Sequence, residues 1–280
     1  METRSFLGRL GHEVGEALTP AVDLAFPPRC ALCGDAIAAQ TGLCIDCWAT
    51  LAVPGEPSCR LCQRPLATGP LDGEPVCAPC LADAPRHNGI AAATLYNESS
   101  RQLVLSFKHG RRLGLAPVLA RLMAARLPTL EGNWILIPVP LHRLRLWKRG
   151  YNQAVLLASG IARLRGLPLL REGLIRRKST PSLGGLGKRA RAKVLTGALA
   201  VNKHHSETIR GANIILVDDV LTSGATSDAC IKALKKAGAN KIMVSCFARV
   251  MDEALDNAHH AAPNTDLLLN SDTAYENARG

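Results

Sequence analysis

Residues 214–227 read Ile-Ile-Leu-Val-Asp-Asp-Val-Leu-Thr-Ser-Gly-Ala-Thr-Ser. The opening apolar run is short and rich in β-branched residues, which suits a strand buried on both faces. It ends in two adjacent acids, Asp218 and Asp219. A loop of Thr222, Ser223, Gly224, Ala225 and Thr226 follows, and then a helix begins. In an open parallel sheet, ligands collect beyond the carboxyl ends of the strands. The loop offers backbone N–H groups and three hydroxyls to one anion, and Gly224 can take a conformation closed to other residues. The helix N-terminus adds favourable dipole charge. The two acids are placed to accept hydrogen bonds from vicinal hydroxyls. Together these features describe a pocket for a ribose carrying a 5′-phosphate. The Gly-x-x-x-x-Gly-Lys-Ser/Thr pattern of P-loop nucleotide triphosphatases is absent,.

Outward from this segment, strands and helices alternate. Strands are expected at 90–96, 134–139, 213–217 and 241–247. Helices are expected at 100–107, 113–127, 151–164 and 227–237, with Gly110 and Gly238 as breaks. Alternation of this kind implies an α/β fold with a mainly parallel sheet. Of the 280 residues 47% are apolar but only 4% aromatic, so aliphatic side chains must fill the core.

Eight of the ten cysteines lie between residues 30 and 80, in four Cys-x-x-Cys pairs: Cys30/Cys33, Cys44/Cys47, Cys59/Cys62 and Cys77/Cys80. Tetrahedral zinc takes four thiolates and each pair supplies two from one turn, so four pairs suit about two structural zinc ions. Ten residues separate Cys33 from Cys44, and fourteen separate Cys62 from Cys77. Both gaps favour sequential sites, although an interleaved arrangement satisfies the same count. Pro54, Gly55, Pro57, Gly69, Pro70, Gly73 and Pro75 break regular structure here, so metal must supply folding energy,. Cys230 and Cys246 fall in an expected helix and strand, as core residues.

Lys and Arg total 34 against 23 acids, a net charge of +11. A cationic surface favours phosphate-bearing partners. Residues 5–26 could form an amphipathic helix. No secretory signal is visible and no run reaches the roughly 18 apolar residues of a membrane span, so a cytoplasmic protein is expected. The expected organisation is an N-terminal helix (1–26), a double zinc ribbon (27–85), the α/β domain (86–250) and a polar, poorly ordered tail (251–280).

The segment 218–226 resembles the phosphoribosyl-pyrophosphate (PRPP) signature of type I phosphoribosyltransferases. Ile-Pro-Val-Pro-Leu-His (137–142), Lys-Arg-Gly-Tyr-Asn-Gln-Ala (148–154) and Phe-Lys-His-Gly (107–110) resemble the ComF family, competence-associated proteins with an N-terminal double zinc ribbon. The resemblance implies the type I phosphoribosyltransferase fold. It implies that Lys148 and Arg149 contact pyrophosphate while Gly150 lets the backbone turn close to it. Residues 177–183, with Lys178, match the family's flap, and Arg191 matches a family arginine. Leu183 and Val194 stand where the family usually has Gln and Asn, so the flap has two polar groups fewer.

By the same resemblance the protein is expected to be a PRPP-binding glycosyltransferase, with Mg²⁺ accompanying PRPP and Asp218 and Asp219 at the reacting ribose. The acceptor is expected under a hood formed by residues 86–106. A second expectation is a binding protein for single-stranded DNA in DNA uptake. It would carry a helicase-like partner and use the ribose-phosphate pocket as a sensor. Trp48, Trp147 and Tyr151 would then be available for stacking, and the affinity would fall steeply with salt.

Overall fold

In the computed structural model, residues 27–38, 42–67, 74–108, 112–142, 146–147, 150–178 and 194–251 are described. The expected N-terminal helix, the tail beyond Met251, Lys148, Arg149, Leu183 and Arg191 lie outside them, as does the flap beyond Lys178. The chain divides into two compact units, with the boundary between Thr50 and Leu51.

The first unit holds a short helix, α1 (Ile45–Ala49), behind a tight turn. Arg29 bridges to Ala36 across that turn, and Gly34 takes φ +83° immediately after Cys33.

The second unit is built on four strands: β1 (Gly89–Leu95), β2 (Trp134–Pro138), β5 (Asn213–Leu221) and β6 (Ile242–Arg249). They run parallel in the order β1-β6-β5-β2. β1 is buried along nearly its whole length, as a strand covered on both faces must be. Two short strands, β3 (Leu174–Arg176) and β4 (Leu199–Val201), pair antiparallel as a separate sheet. The helices of this unit are α2 (Ala78–Ala82), α3 (Glu98–Lys108), α4 (Leu115–Arg126), α5 (Gln153–Arg165), α6 (Ser206–Ile209) and α7 (Ala225–Lys236).

Alternation along the strands sorts the core. Ile214, Leu216, Ile242, Val244 and Cys246 share one cluster with Cys230, Ile231 and Leu234 of α7. Cys59, Cys62 and Cys77 belong to the same cluster, so the second set of knuckles packs into the core of the sheet. Its turn repeats the first at Ser58 and Pro65, but the left-handed residue is Gln63 (φ 57°) rather than glycine. That conformation costs a non-glycine residue about 1–2 kcal/mol. The side chain offsets it: Gln63 Oε1 accepts a hydrogen bond from the backbone N–H of Ala92, 2.7 Å away on edge strand β1.

Cys230 and Cys246 are fully buried, as expected. Burial pushes both thiols up, Cys246 to about 12.

Helices α4 and α5 meet at Ala120 and Gly160, and a Cβ on Gly160 would lie 2.5 Å from Ala120 Cβ. Mid-helix glycine costs roughly 0.5–1 kcal/mol against alanine, so close packing is the reason for it here. Arg165 locks the contact. Its guanidinium donates to the carbonyls of Ala124, Leu127 and Pro128 at 3.0, 3.1 and 2.9 Å, closing the C-terminal end of α4. Gly160→Ala is expected to destabilise the protein by about 1–3 kcal/mol despite its better helix propensity. Denaturant unfolding checks this, and Ala120→Gly in the same chain should restore part of the loss.

Candidate functional site

The acid pair lies within β5 rather than after it, because the strand continues to Leu221 and not only to Val217. Pairing with β6 explains the extension: Asp218 stands opposite Cys246, Val220 opposite Ala248 and Leu221 opposite Arg249. Helix α7 likewise begins at Ala225, two residues before the expected start, so Ala225 and Thr226 form its first turn. Gly224 sits between strand and helix with φ +74°. Nothing lies within 4 Å of a Cβ there, so backbone conformation rather than space selects glycine. The N-cap position of α7 is Gly224 itself, which brings no side chain to the helix N-terminus. Thr222 is exposed and Ser223 and Thr226 are half-buried around it. Asp218, Asp219, Thr222, Ser223, Gly224, Ala225 and Thr226 are therefore brought together at the carboxyl edge of the sheet.

The two carboxylates stiffen their own backbone. Asp218 Oδ1 accepts from the Asp219 N–H at 2.9 Å, and Asp219 Oδ1 from the Val220 N–H at 2.7 Å. Their electrostatics differ. Burial first, then the charge of Asp219, pushes the Asp218 carboxyl up to about 7, with Lys108 opposing. Asp219 has a cation of its own: Lys108 Nζ lies 3.0 Å from its Oδ2. The family-like segment 107–110 thus delivers a lysine to the acid pair, a placement that sequence reading left without a role.

The neighbouring loop is tied to the same place. Tyr151 donates its hydroxyl to the Phe107 carbonyl, and the two rings stand 6.1 Å apart. Tyr151 is half-buried against Phe107, whereas Trp147 is 85% exposed and Trp48 47%. Gly150 has φ +78° with open space where a side chain would stand, which suits a backbone turning toward a ligand. Asn152 caps α5 by accepting from the Ala154 N–H and donates to the Val139 carbonyl, joining the loop to the end of β2. Lys178 is exposed near Gly197, and Val194 is half-buried. Residues 86–106 do not form a hood as a unit. Residues 89–95 are the buried strand β1, and α3 follows from Glu98, reaching the acid pair through Lys108.

The eight cysteines gather as Cys30, Cys33, Cys44 and Cys47, and as Cys59, Cys62, Cys77 and Cys80. Within each group the sulfurs all lie within 4.8 Å of one another. Zinc–sulfur bonds of about 2.3 Å in a tetrahedron require sulfurs about 3.8 Å apart. Cys33 and Cys44 stand at 3.6 Å, and Cys62 and Cys77 at 3.5 Å. The residues therefore fit structural Zn²⁺, one ion per group, in the sequential order. In each group the backbone favours one thiolate, while Cys33, Cys47, Cys62 and Cys80 are pushed up by burial and by neighbouring sulfurs or, for Cys33, Asp35. Burial raises Cys30, but N–H groups of Cys33, Cys44 and Leu32 outweigh it and bring the thiol down to about 6. Cys59 reaches about 6 in the same way, through Cys77, Cys62 and Leu61.

Residues 21–86 match the double zinc ribbon domain, and residues 153–265 match the phosphoribosyl transferase domain. Fold and site thus define a phosphoribosyltransferase-type protein preceded by zinc ribbons. The chain is 32% identical over 223 residues to competence protein F of Haemophilus influenzae, spanning 74% of this chain and 96% of that one. It is 27% identical over 228 residues to the DNA utilization protein YhgH of Salmonella typhimurium, spanning 79% and 90%. It is 33% identical over 108 residues to competence protein ComFC of Bacillus subtilis, spanning 39% and 41%. The chain belongs to the ComF family.

The zinc sites differ in shelter. Cys33 is exposed, whereas Cys59, Cys62 and Cys77 are buried. Purified protein should carry about two zinc ions. A chelator should remove one quickly, from the first group, and the other slowly. Cys44→Ser should lose one ion and loosen residues 27–50, while Cys77→Ser should also lower the melting temperature of the sheet. Metal analysis, hydrogen exchange and thermal unfolding read these outcomes.

The acid pair predicts a pH effect. The Asp218 carboxyl rises from 3.8 to about 7 on folding. Its favourable contribution is therefore complete below pH 3.8 and is lost as pH rises through about 7,. Asp218→Asn removes that loss. Its melting temperature relative to wild type should climb between those two values and level off above. Thermal unfolding across pH measures it.

Proposed function

We propose that this chain binds PRPP or a related ribose 5-phosphate, with Mg²⁺ accompanying the pyrophosphate, and that it acts as a phosphoribosyltransferase in the use of incoming DNA. One observation carries the reading: an acid pair near the end of strand β5 leads through a left-handed glycine into the N-terminus of α7. A 5′-phosphate suits the N–H groups of that first turn and the hydroxyls of Thr222, Ser223 and Thr226. The ribose hydroxyls suit Asp218 and Asp219.

If transfer occurs, pyrophosphate leaves C1′ and the ribose takes on oxocarbenium-like charge. Asp218 and Asp219 would offset that charge while fixing the hydroxyls. Lys148, Arg149 and the Gly150 turn would hold the departing pyrophosphate, with Lys178 and Arg191 reaching in from the flap. Mg²⁺, which prefers hard oxygen ligands, would neutralise the pyrophosphate. The acceptor would enter beside α3.

The names of the relatives support a link to competence and DNA utilization. The net charge of +11 and the exposed indole of Trp147 suit single-stranded DNA as a further partner, and a helicase-like protein could dock on the ribbons,.

Calorimetry with PRPP and Mg²⁺ tests the pocket. Asp218→Asn combined with Asp219→Asn should weaken binding about tenfold or more while the fold stays intact by circular dichroism, through loss of charged acceptors. Unchanged affinity rejects the assignment. Pyrophosphate release with a panel of bases then reads turnover.

A further inference from the structure

Lys108 ends helix α3, and the backbone before it is pinned. Phe107 is fully buried, and its carbonyl accepts the Tyr151 hydroxyl. From this fixed point the lysine reaches Asp219, with Nζ 3.0 Å from Oδ2. The two side chains are only 22% and 13% exposed, unlike a surface bridge that salt screens and chain entropy weakens,. Breaking such a pair from one side leaves an uncompensated charge in a half-buried place.

The charge balance around this bridge is unusual for an anion site. A phosphate at the first turn of α7 lies a few residues in the chain from two carboxylates on one strand. An ammonium on Asp219 cancels one of them before the ligand arrives. It also keeps donors in reserve, because Nζ has three hydrogens and Asp219 engages one oxygen,.

The geometry points to Lys108 as the resident cation of the acid pair. It stays on Asp219 when a ribose 5-phosphate binds and supplies the positive charge that a divalent ion would otherwise bring to the carboxylates. Ribose 5-phosphate then binds without metal, and any need for Mg²⁺ is confined to the pyrophosphate of PRPP. The inference rests on the reading of the pocket as a ribose-phosphate site and names a positioning residue within it.

The experiment is calorimetry with ribose 5-phosphate on the full chain, once in EDTA and once in Mg²⁺, with zinc content checked after each. Wild type should bind equally in both buffers. Lys108→Met should lose about tenfold or more in EDTA and recover part of it in Mg²⁺, since loss of one charged partner is of that size. Lys108→Arg should keep most of the affinity in EDTA, because it keeps the charge. Lys108→Gln, which keeps a donor toward Asp219 but no charge, should behave like Met and guards against a Met variant that fails to fold. Wild type that binds only with Mg²⁺ overturns the inference alone. So do Met and Gln variants that bind as wild type in EDTA. Wild type silent in both buffers overturns the ribose-phosphate reading and this inference with it.

Discussion

Two like charges on adjacent residues of a buried strand are the constraint around which the site is arranged. Asp218 and Asp219 cannot both be charged and dry without help, and burial holds Asp218 near neutrality while Lys108 compensates Asp219,. Each nearby feature serves that arrangement. The pairing of β5 with β6 through Leu221 holds the acids in extended backbone. Tyr151 fixes the turn that delivers the lysine. Gly224 turns the chain so that the N-terminus of α7 follows the acids directly.

The cysteine-rich region has a different logic in each half. The first group makes its own small unit, with a glycine in the left-handed position after Cys33. The second shares its core with the sheet and uses a glutamine there, whose side chain satisfies an amide on the edge of β1. An edge strand with open N–H groups invites wrong partners, and Gln63 closes one of those positions from within the chain. Metal in the second group therefore holds more than its own knuckles.

The central strand, the phosphate loop and the sequential grouping of the cysteines were legible because each is local. Apolar run, acids, glycine and helix follow one another within 214–227, and each cysteine group closes over a short gap. What escaped reading depends on distant partners. Val220 and Leu221 look like loop until β6 extends beside them. The strand near 90–96 was legible as a strand, but its pairing with distant β6, which takes it out of any hood, was not. The Phe-Lys-His-Gly segment marked the family but not the role of Lys108, because its partner is more than a hundred positions away in the chain. A lysine two residues before a glycine at a helix end carries no local sign that it turns inward.

The order of strands has a consequence for the newborn chain. Among the described residues β1 is the first strand made, yet its ladder partner in the sheet is β6, the last: Gly89 pairs with Met243 and Leu95 with Arg249. During synthesis β1 must wait exposed until nearly the whole domain has left the ribosome, a delay that invites aggregation. The knuckles just ahead of it are complete much sooner, since Cys80 precedes Gly89. With zinc in place, they can shelter the waiting strand through Gln63 and Ala92. Zinc supply at the moment of translation would then govern how much protein reaches the folded state, apart from anything the metal does afterwards.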